Sequence, residues 1–293
     1  QASEVISKLA ARHGGPLRLP GPAPALSTAR PAVACVTFDL DDTLYRMLPS
    51  LQRAFRACWV AFRAAAPNAY ARYTEQASEA EALQNISKHY QQAVRAFKES
   101  KPLLAPNLSD MRRLVLLSWA QEAGDADPAA AAAAAMKAFL QERGRVEKEL
   151  FEDTLPVLQA LRRRGLRLGS ITNGNADLAS HAPHLRAALD FEISPETAGA
   201  AKPSVTPFLA AAHAAGVPDL RMVAHVGDMV ETDVRGALAA GVRAVLLKRP
   251  SDGAGASVQT PADSMKADAV IASLWELDAL LDKWGAGPRA SSL

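Results

Sequence analysis

The chain has 293 residues, 49% hydrophobic and 22% charged, which is the balance of a soluble globular protein and excludes a disordered or collagenous one. Lysine and arginine total 33 against 31 acidic residues, so the formal net charge of +2 gives no bulk electrostatic case for nucleic-acid binding. Two cysteines, Cys35 and Cys58, cannot staple a scaffold and read as buried thiols, and the longest uncharged stretch, 203–218, is shorter than the roughly 20 residues of a membrane-spanning helix.

Residues 1–31 are poor in acids and rich in alanine, proline and glycine, the composition of a region around an organelle-targeting junction, chloroplast favoured over mitochondrion. A trimmed expression product is the plainer reading. Such a segment frays unaided, so a protein partner that orders it is a further expectation. Residues 32–38, AVACVTF, read as a buried strand of a parallel sheet that ends on carboxylates. From 46 to 150 the pattern is helical, broken at Pro67, Pro102, Pro106 and Pro128, and predicts an all-helical insertion whose run 129–135 is a plain alanine helix.

Beyond 150 the signals alternate. A helix over 153–164 is ended by Gly165, and strands follow at 166–171 and 191–193. A helix over 203–215 carries proline in its first turn, then come a strand at 222–226 and a helix over 230–240 ended by Gly241. Strands at 242–247 and 269–271 and a helix over 274–282 complete the series. The alternation predicts an α/β fold: a doubly wound parallel sheet made from 32–45 and 151–284, with 46–150 inserted and 285–293 as a tail. Ligands of such sheets sit beyond the carboxyl ends of the strands.

Those positions hold Asp39, Asp41 and Thr43 after the first strand, Thr172 and Asn173 after the second, Lys202 before a helix, and Asp228 and Asp233 after the fourth. The chemistry that uses this set is phosphoryl transfer to a carboxylate. Asp39 is the expected nucleophile, forming an aspartyl-phosphate, and Asp41 the group that protonates the leaving oxygen and later accepts a proton from water. A carboxylate attacking a phosphate dianion needs a cation, and Asp39, Asp41 and Asp228 with a main-chain carbonyl and waters make a hard oxygen set suited to Mg²⁺. Lys202 adds fixed positive charge. Thr172 and the N–H of Asn173 are placed to hold the non-bridging phosphoryl oxygens. Asp233 is expected to orient Lys202 or a metal-bound water, and Thr43 and Asp42 to be turn residues beside the metal. His225 reads as a packed core histidine, His181 and His184 as surface residues, and the run Arg162, Arg163, Arg164 and Arg167 as a solvated helix end. Trp59, Phe62, Tyr70, Tyr73 and Tyr90 are expected to fill the core of the insertion.

FDLDDTLY over 38–45, SITNG over 170–174, AKP over 201–203 and HVGDMVETDV over 225–234 resemble, in order, the four motifs of the haloacid dehalogenase superfamily. The insertion directly after the first motif resembles that superfamily's helical cap, which closes over the mouth and selects substrates. The resemblance spans about 32–283 and implies a Mg²⁺-dependent phosphatase of a small phosphorylated metabolite. ITNGNADL, the spacing after HVGD and the KRP after Leu247 are most similar to bacterial phosphatases acting on 5-amino-6-(5-phosphoribitylamino)uracil and FMN in the riboflavin pathway. Asp42 stands where many members have glycine. Asp41 argues against dehalogenase chemistry, because a halide leaving group needs no general acid. The alternative is the same fold serving as a non-catalytic subunit of a larger organellar assembly.

Overall fold

The computed structural model describes residues 30–74, 78–101, 106–250 and 267–286. The expectations for the N-terminal segment, its targeting role and its partner rest on residues 1–29, outside the described residues, as does most of the tail. Six strands, β1 (Cys35–Phe38), β2 (Arg167–Ile171), β3 (Phe191–Ile193), β4 (Val223–Gly227), β5 (Arg243–Leu247) and β6 (Ala269–Ile271), form one all-parallel sheet in the order β3-β2-β1-β4-β5-β6. The doubly wound α/β expectation holds. Every residue of β1, β4 and β5 is buried, because helices cover both faces and leave no side of these strands to water.

The helices that follow β1 are α1 (Met47–Ala65), α2 (Pro67–Thr74), α3 (Glu79–Ser100), α4 (Leu108–Ala123) and α5 (Pro128–Gly144). Pro67 and Pro128 stand at helix starts, where a missing N–H costs nothing, and Asn107 and Asp127 cap α4 and α5. These helices share a hydrophobic cluster that includes Trp59, Phe62, Tyr90, Leu116 and Phe139. Tyr90 meets Trp59 edge to face at 5.1 Å and Trp119 at 5.9 Å, whereas Tyr70 and Tyr73 lie only partly buried at the cluster's margin. In the alanine run, Ala131, Ala132 and Ala135 are fully buried, so the small side chains serve close helix packing.

The remaining helices are α6 (Thr154–Arg163), α7 (Leu178–His181), α8 (Pro183–Ala187), α9 (Pro195–Ala198), α10 (Thr206–Ala215), α11 (Arg235–Ala239) and α12 (Leu277–Lys283). Alternate residues of β1 supply the two faces of the sheet: Val36 and Phe38 join the cluster containing Leu158, Leu161 and Leu277, while Cys35 joins Phe208, Val234 and Ala237. Cys35 and Cys58 are buried free thiols, as expected. Among the described residues no helix is long and apolar enough to cross a membrane.

Three local expectations need correction. The helix predicted from 203 starts at Thr206 with Pro207 in its first turn, because residues 201–204 close a turn in which Ser204 N donates to the Ala201 carbonyl at 3.0 Å. The helix predicted from 230 opens as a π-helical turn over Val230–Val234, in which both Asp233 N and Val234 N reach the Met229 carbonyl. Arg164 is not solvated. Its guanidinium is buried against α12, donating to Asp278 at 2.6 Å, Asp282 at 2.9 Å and the Ala286 carbonyl at 3.1 Å, since the helix end docks there rather than facing water.

Asp153, just ahead of α6, ties three segments together. It accepts from Arg249 Nη1 and Nη2 at 2.9 and 2.8 Å, Ser273 Oγ at 2.7 Å and Leu274 N at 2.9 Å. Burial alone raises its pKa, but these donors hold it below the ordinary carboxylate value. Asp153→Ala is expected to destabilise the protein by about 3–5 kcal/mol at neutral pH, because it removes the charge partner of a largely buried arginine, which among the described residues keeps only the Thr43 carbonyl. A depressed folded pKa contributes stability above the unfolded value and loses it as pH falls through the folded one, so the gap to the variant should narrow in acid. Urea unfolding across pH checks both.

Candidate active site

Sheet register brings the strand ends together. Phe38 pairs with Ser170 on one side and Val226 on the other, at the point between β1 and β4 where the strand order reverses. Asp39 N donates to the Val226 carbonyl at 2.8 Å, and Thr172 N to the Ile193 carbonyl at 3.0 Å, so both side chains are fixed by the continuing ladder. Carboxylate oxygens of Asp39, Asp228 and Asp233 lie within 4.8 Å of one another.

Lys202 sits fully enclosed among them. Its Nζ donates to Asp39 Oδ1 at 2.6 Å, Asp233 Oδ1 at 2.7 Å and the Ile171 carbonyl at 2.5 Å. The Asn173 side chain grips the backbone of Lys202 from both ends, accepting from its N–H at 2.8 Å and donating to its carbonyl at 2.9 Å. The sequence assigned Asn173 a main-chain role only. This side-chain clamp emerges from the crossing of two loops 29 residues apart.

Asp233 is the second carboxylate on Lys202. The π turn lets its Oδ2 accept from Met229 N at 2.9 Å, and buried His225 approaches Oδ1 at 3.3 Å while its other ring nitrogen meets Thr37 Oγ1 at 3.0 Å. His225 is the core histidine predicted, and burial lowers its pKa. Gly227 is needed for this approach: a Cβ there would run into the Asp233 carboxylate.

The carboxylates of this cluster are strongly perturbed. Burial pushes the Asp39 pKa well above the usual carboxylate range, with Lys202 opposing and Asp233 and Asp41 adding to the shift. Burial, then Asp233 and Asp42, pushes Asp228 up to about 7. Burial also acts to raise Asp233, yet Lys202 and His225 hold it low, and the two carboxylates overcome the desolvation of Lys202 to raise its pKa. Two buried carboxylates, Asp39 and Asp233, and the half-buried Asp228 face one ammonium, and all three offer hard oxygens, a set that fits Mg²⁺.

Asp41 stands outside that cluster. Arg143 Nη2 contacts both of its oxygens, at 2.5 and 2.6 Å, and Arg143 Nη1 lies 3.2 Å from both Tyr45 Oη and Ser50 Oγ. Arg143 belongs to the last turn of α5 and is fully buried. No motif marked it. The available signal was a charge continuing the buried stripe Ala132, Ala135, Met136 and Phe139 at helical spacing. A Cβ at Gly174 would lie 3.0 Å from Asp41 Oδ2 and 3.2 Å from both Arg143 Nη2 and Thr172 Oγ1, so these three groups converge on the room that this glycine leaves. A second tie crosses the same cleft, where Arg112 of α4 donates to Asn175 Oδ1 at 2.8 Å.

Asp42 and Thr43 are turn residues. Asp42 adopts φ 56°, the left-handed region that favours glycine and tolerates aspartate, and its carboxylate accepts from Met47 N at 2.9 Å. The Thr43 carbonyl accepts from Arg249 at 2.9 Å. His184 is exposed and pairs with Glu147 at 2.9 Å. A cavity of about 750 Å³ lies along α1 and α3, lined by Leu51, Phe55, Trp59 and Leu83 among others, and no strand-end carboxylate borders it. The chemistry lies elsewhere.

The family described as haloacid dehalogenase-like hydrolase matches residues 33–241. The chain is 30% identical to the Escherichia coli 5-amino-6-(5-phospho-D-ribitylamino)uracil phosphatase YigB over 228 residues, 75% of this chain and 85% of the relative. It is 35% identical to the Mycobacterium tuberculosis phosphatase MT3486 over 47% of this chain, and spans 58% of that relative's length. The crystal structure of a 2-haloacid dehalogenase from Pseudomonas syringae superposes with a TM-score of 0.67 at 30% identity, covering 86% of this chain and 99% of that one.

The close approach at Gly227 carries a structural prediction. Gly227→Ala should force Asp233 away from Lys202 and destabilise the protein by about 1–3 kcal/mol, the usual range for overpacking, read as a lowered urea midpoint.

Proposed function

We propose that this chain, which belongs to the haloacid dehalogenase-like hydrolase family, is a phosphomonoesterase that works through an aspartyl-phosphate on Asp39. The observation that carries this reading is the pair Asp39 and Asp41 at one strand end, the first bonded to buried Lys202 and the second facing the Gly174 space beside Thr172. In the first step an Asp39 oxygen attacks phosphorus, the bond to the leaving oxygen breaks, and Asp41 delivers a proton to that oxygen. In the second, Asp41 takes a proton from water as the water oxygen attacks phosphorus, and the bond to Asp39 breaks to free phosphate. Thr172 Oγ1 and the N–H of Asn173 would hold the non-bridging oxygens, while Lys202, whose three N–H bonds go to Asp39, Asp233 and the Ile171 carbonyl, supplies fixed positive charge beside them.

Mg²⁺ would be held by Asp39 and Asp228, with the main-chain carbonyl of Asp41 as a further oxygen ligand, leaving the Asp41 carboxylate to the proton transfers. When bound, the ion supplies charge that lets one anion approach another. Helices α1 to α5 act in this reading as a cap, residues 46–150, over a core made from 32–45 and 151–284. A lid of that size excludes water and bulky esters, which limits substrates to small phosphorylated metabolites. The riboflavin-pathway phosphate and FMN rank first, and similarity to the E. coli enzyme over 85% of that enzyme's length supports the former. The relative named as a dehalogenase shares the fold, but Asp41 provides a proton donor for which a departing halide has no use.

Phosphate release with Mg²⁺ should be seen for one member of a panel that includes both ranked substrates. It is expected to fall by at least about a thousandfold in Asp39→Asn and to stop with EDTA. A folded, unmutated protein that releases no more phosphate than Asp39→Asn from any ester would favour the non-catalytic alternative. Independently of turnover, Mg²⁺ at about 100 times its Kd should stabilise the protein by about 2.7 kcal/mol in thermal unfolding, and Asp228→Asn should remove that gain.

A further inference from the structure

Arg143 and Asp41 come from different parts of the chain, 102 residues apart, and meet only because the end of α5 is docked against the strand-end turn. The arginine is held at both ends of its fork. Nη1 faces Tyr45 Oη and Ser50 Oγ, two buried groups on the segment that leads from β1 into α1, and Nη2 faces both Asp41 oxygens. A guanidinium bound on both sides has one rotamer, and so has the carboxylate it grips. Asp41 itself is not sealed in: its side chain keeps 21% exposure, and Oδ2 borders the Gly174 space together with Thr172 Oγ1. The pair therefore holds one carboxylate oxygen beside Gly174 and Thr172, the side on which the phosphomonoesterase reading places the phosphoryl group.

A structural ion pair would serve equally well if it were sealed. This one is partly open to solvent, and its cationic half comes from the last turn of α5 while its anionic half comes from the turn that follows β1. We propose that Arg143 is the positioning residue for Asp41, so that proton transfer to the leaving group depends on the insertion being docked through this arginine. The proposal rests on the phosphomonoesterase reading above. It also goes beyond it, because it assigns to the insertion a part in the chemistry and not only in substrate selection.

The test exploits leaving groups. An alkyl phosphate such as β-glycerophosphate or FMN needs a proton on its departing oxygen, whereas p-nitrophenyl phosphate departs as a stable anion. Arg143→Met is expected to lower the ratio of kcat/KM for the alkyl ester to that for the aryl ester by about 10–100-fold, through kcat rather than KM. Asp41→Asn should lower the same ratio at least as far, and the double variant should lower it no further than Asp41→Asn alone, since the arginine acts through the aspartate. Arg143→Lys, which keeps the charge but loses the fork, should recover part of the ratio. The ratio is insensitive to the fraction of protein folded, so a merely destabilised variant leaves it unchanged. An unchanged ratio in Arg143→Met, or an additive fall in the double variant, overturns the proposal while Asp39-dependent phosphate release still upholds the phosphomonoesterase reading. Absence of phosphate release from every ester by the unmutated protein overturns both.

Discussion

The interaction on which the rest of the site depends is the enclosure of the Lys202 ammonium between Asp39 and Asp233, capped by the Ile171 carbonyl. A charge taken out of water carries a penalty of several kcal/mol, and only close, well-directed partners return it. Much of the surrounding structure can be traced to that requirement. Asn173 fixes the backbone of the lysine, the π turn swings Asp233 into range, Met229 N holds the far oxygen of that carboxylate, and His225 approaches the oxygen it shares with Lys202. Gly227 is bare because Asp233 needs the space. The result is preorganised: charges already in place need no rearrangement when a phosphoryl group arrives.

A second constraint acts across the cleft. The insertion has its own hydrophobic cluster, yet it is not merely appended to the sheet. Arg143 and Arg112 reach from it to Asp41 and Asn175, both of which follow strand ends. The buried alanines of α5 allow that helix to approach closely and so bring its last turn, with Arg143, down to the turn after β1. A low-complexity run without chemistry of its own thus determines where a charged group stands.

The sequence was legible where one local rule sufficed. Phe191–Ile193 and Ala269–Ile271 match their predicted strands residue for residue, and Gly165 and Gly241 end their helices at positive φ. The strand-end acids were legible because a parallel sheet places every strand end at one edge. The start of α10 was misjudged because Pro203 and Pro207 carry the same N-terminal signal, and only the turn that carries Lys202 distinguishes them. The π turn gave no signal either, as its extra residue serves the Asp233 carboxylate rather than any local preference.

The sequence by itself determined the alternation of strands and helices and the residue types at the strand ends, since the alternation follows from periodicity and turn chemistry within a short window. Only the tertiary structure decided which charges meet. Arg164 and Arg143 both stand in or just beyond the last turn of a helix, where solvation and a favourable dipole are the default. One is instead locked to Asp278 and Asp282 and the other to Asp41. Each partner is more than 100 residues away, as the separations of 114, 118 and 102 show. A buried charge selects its partner through space, after packing has excluded water, and no local pattern in the chain records that choice.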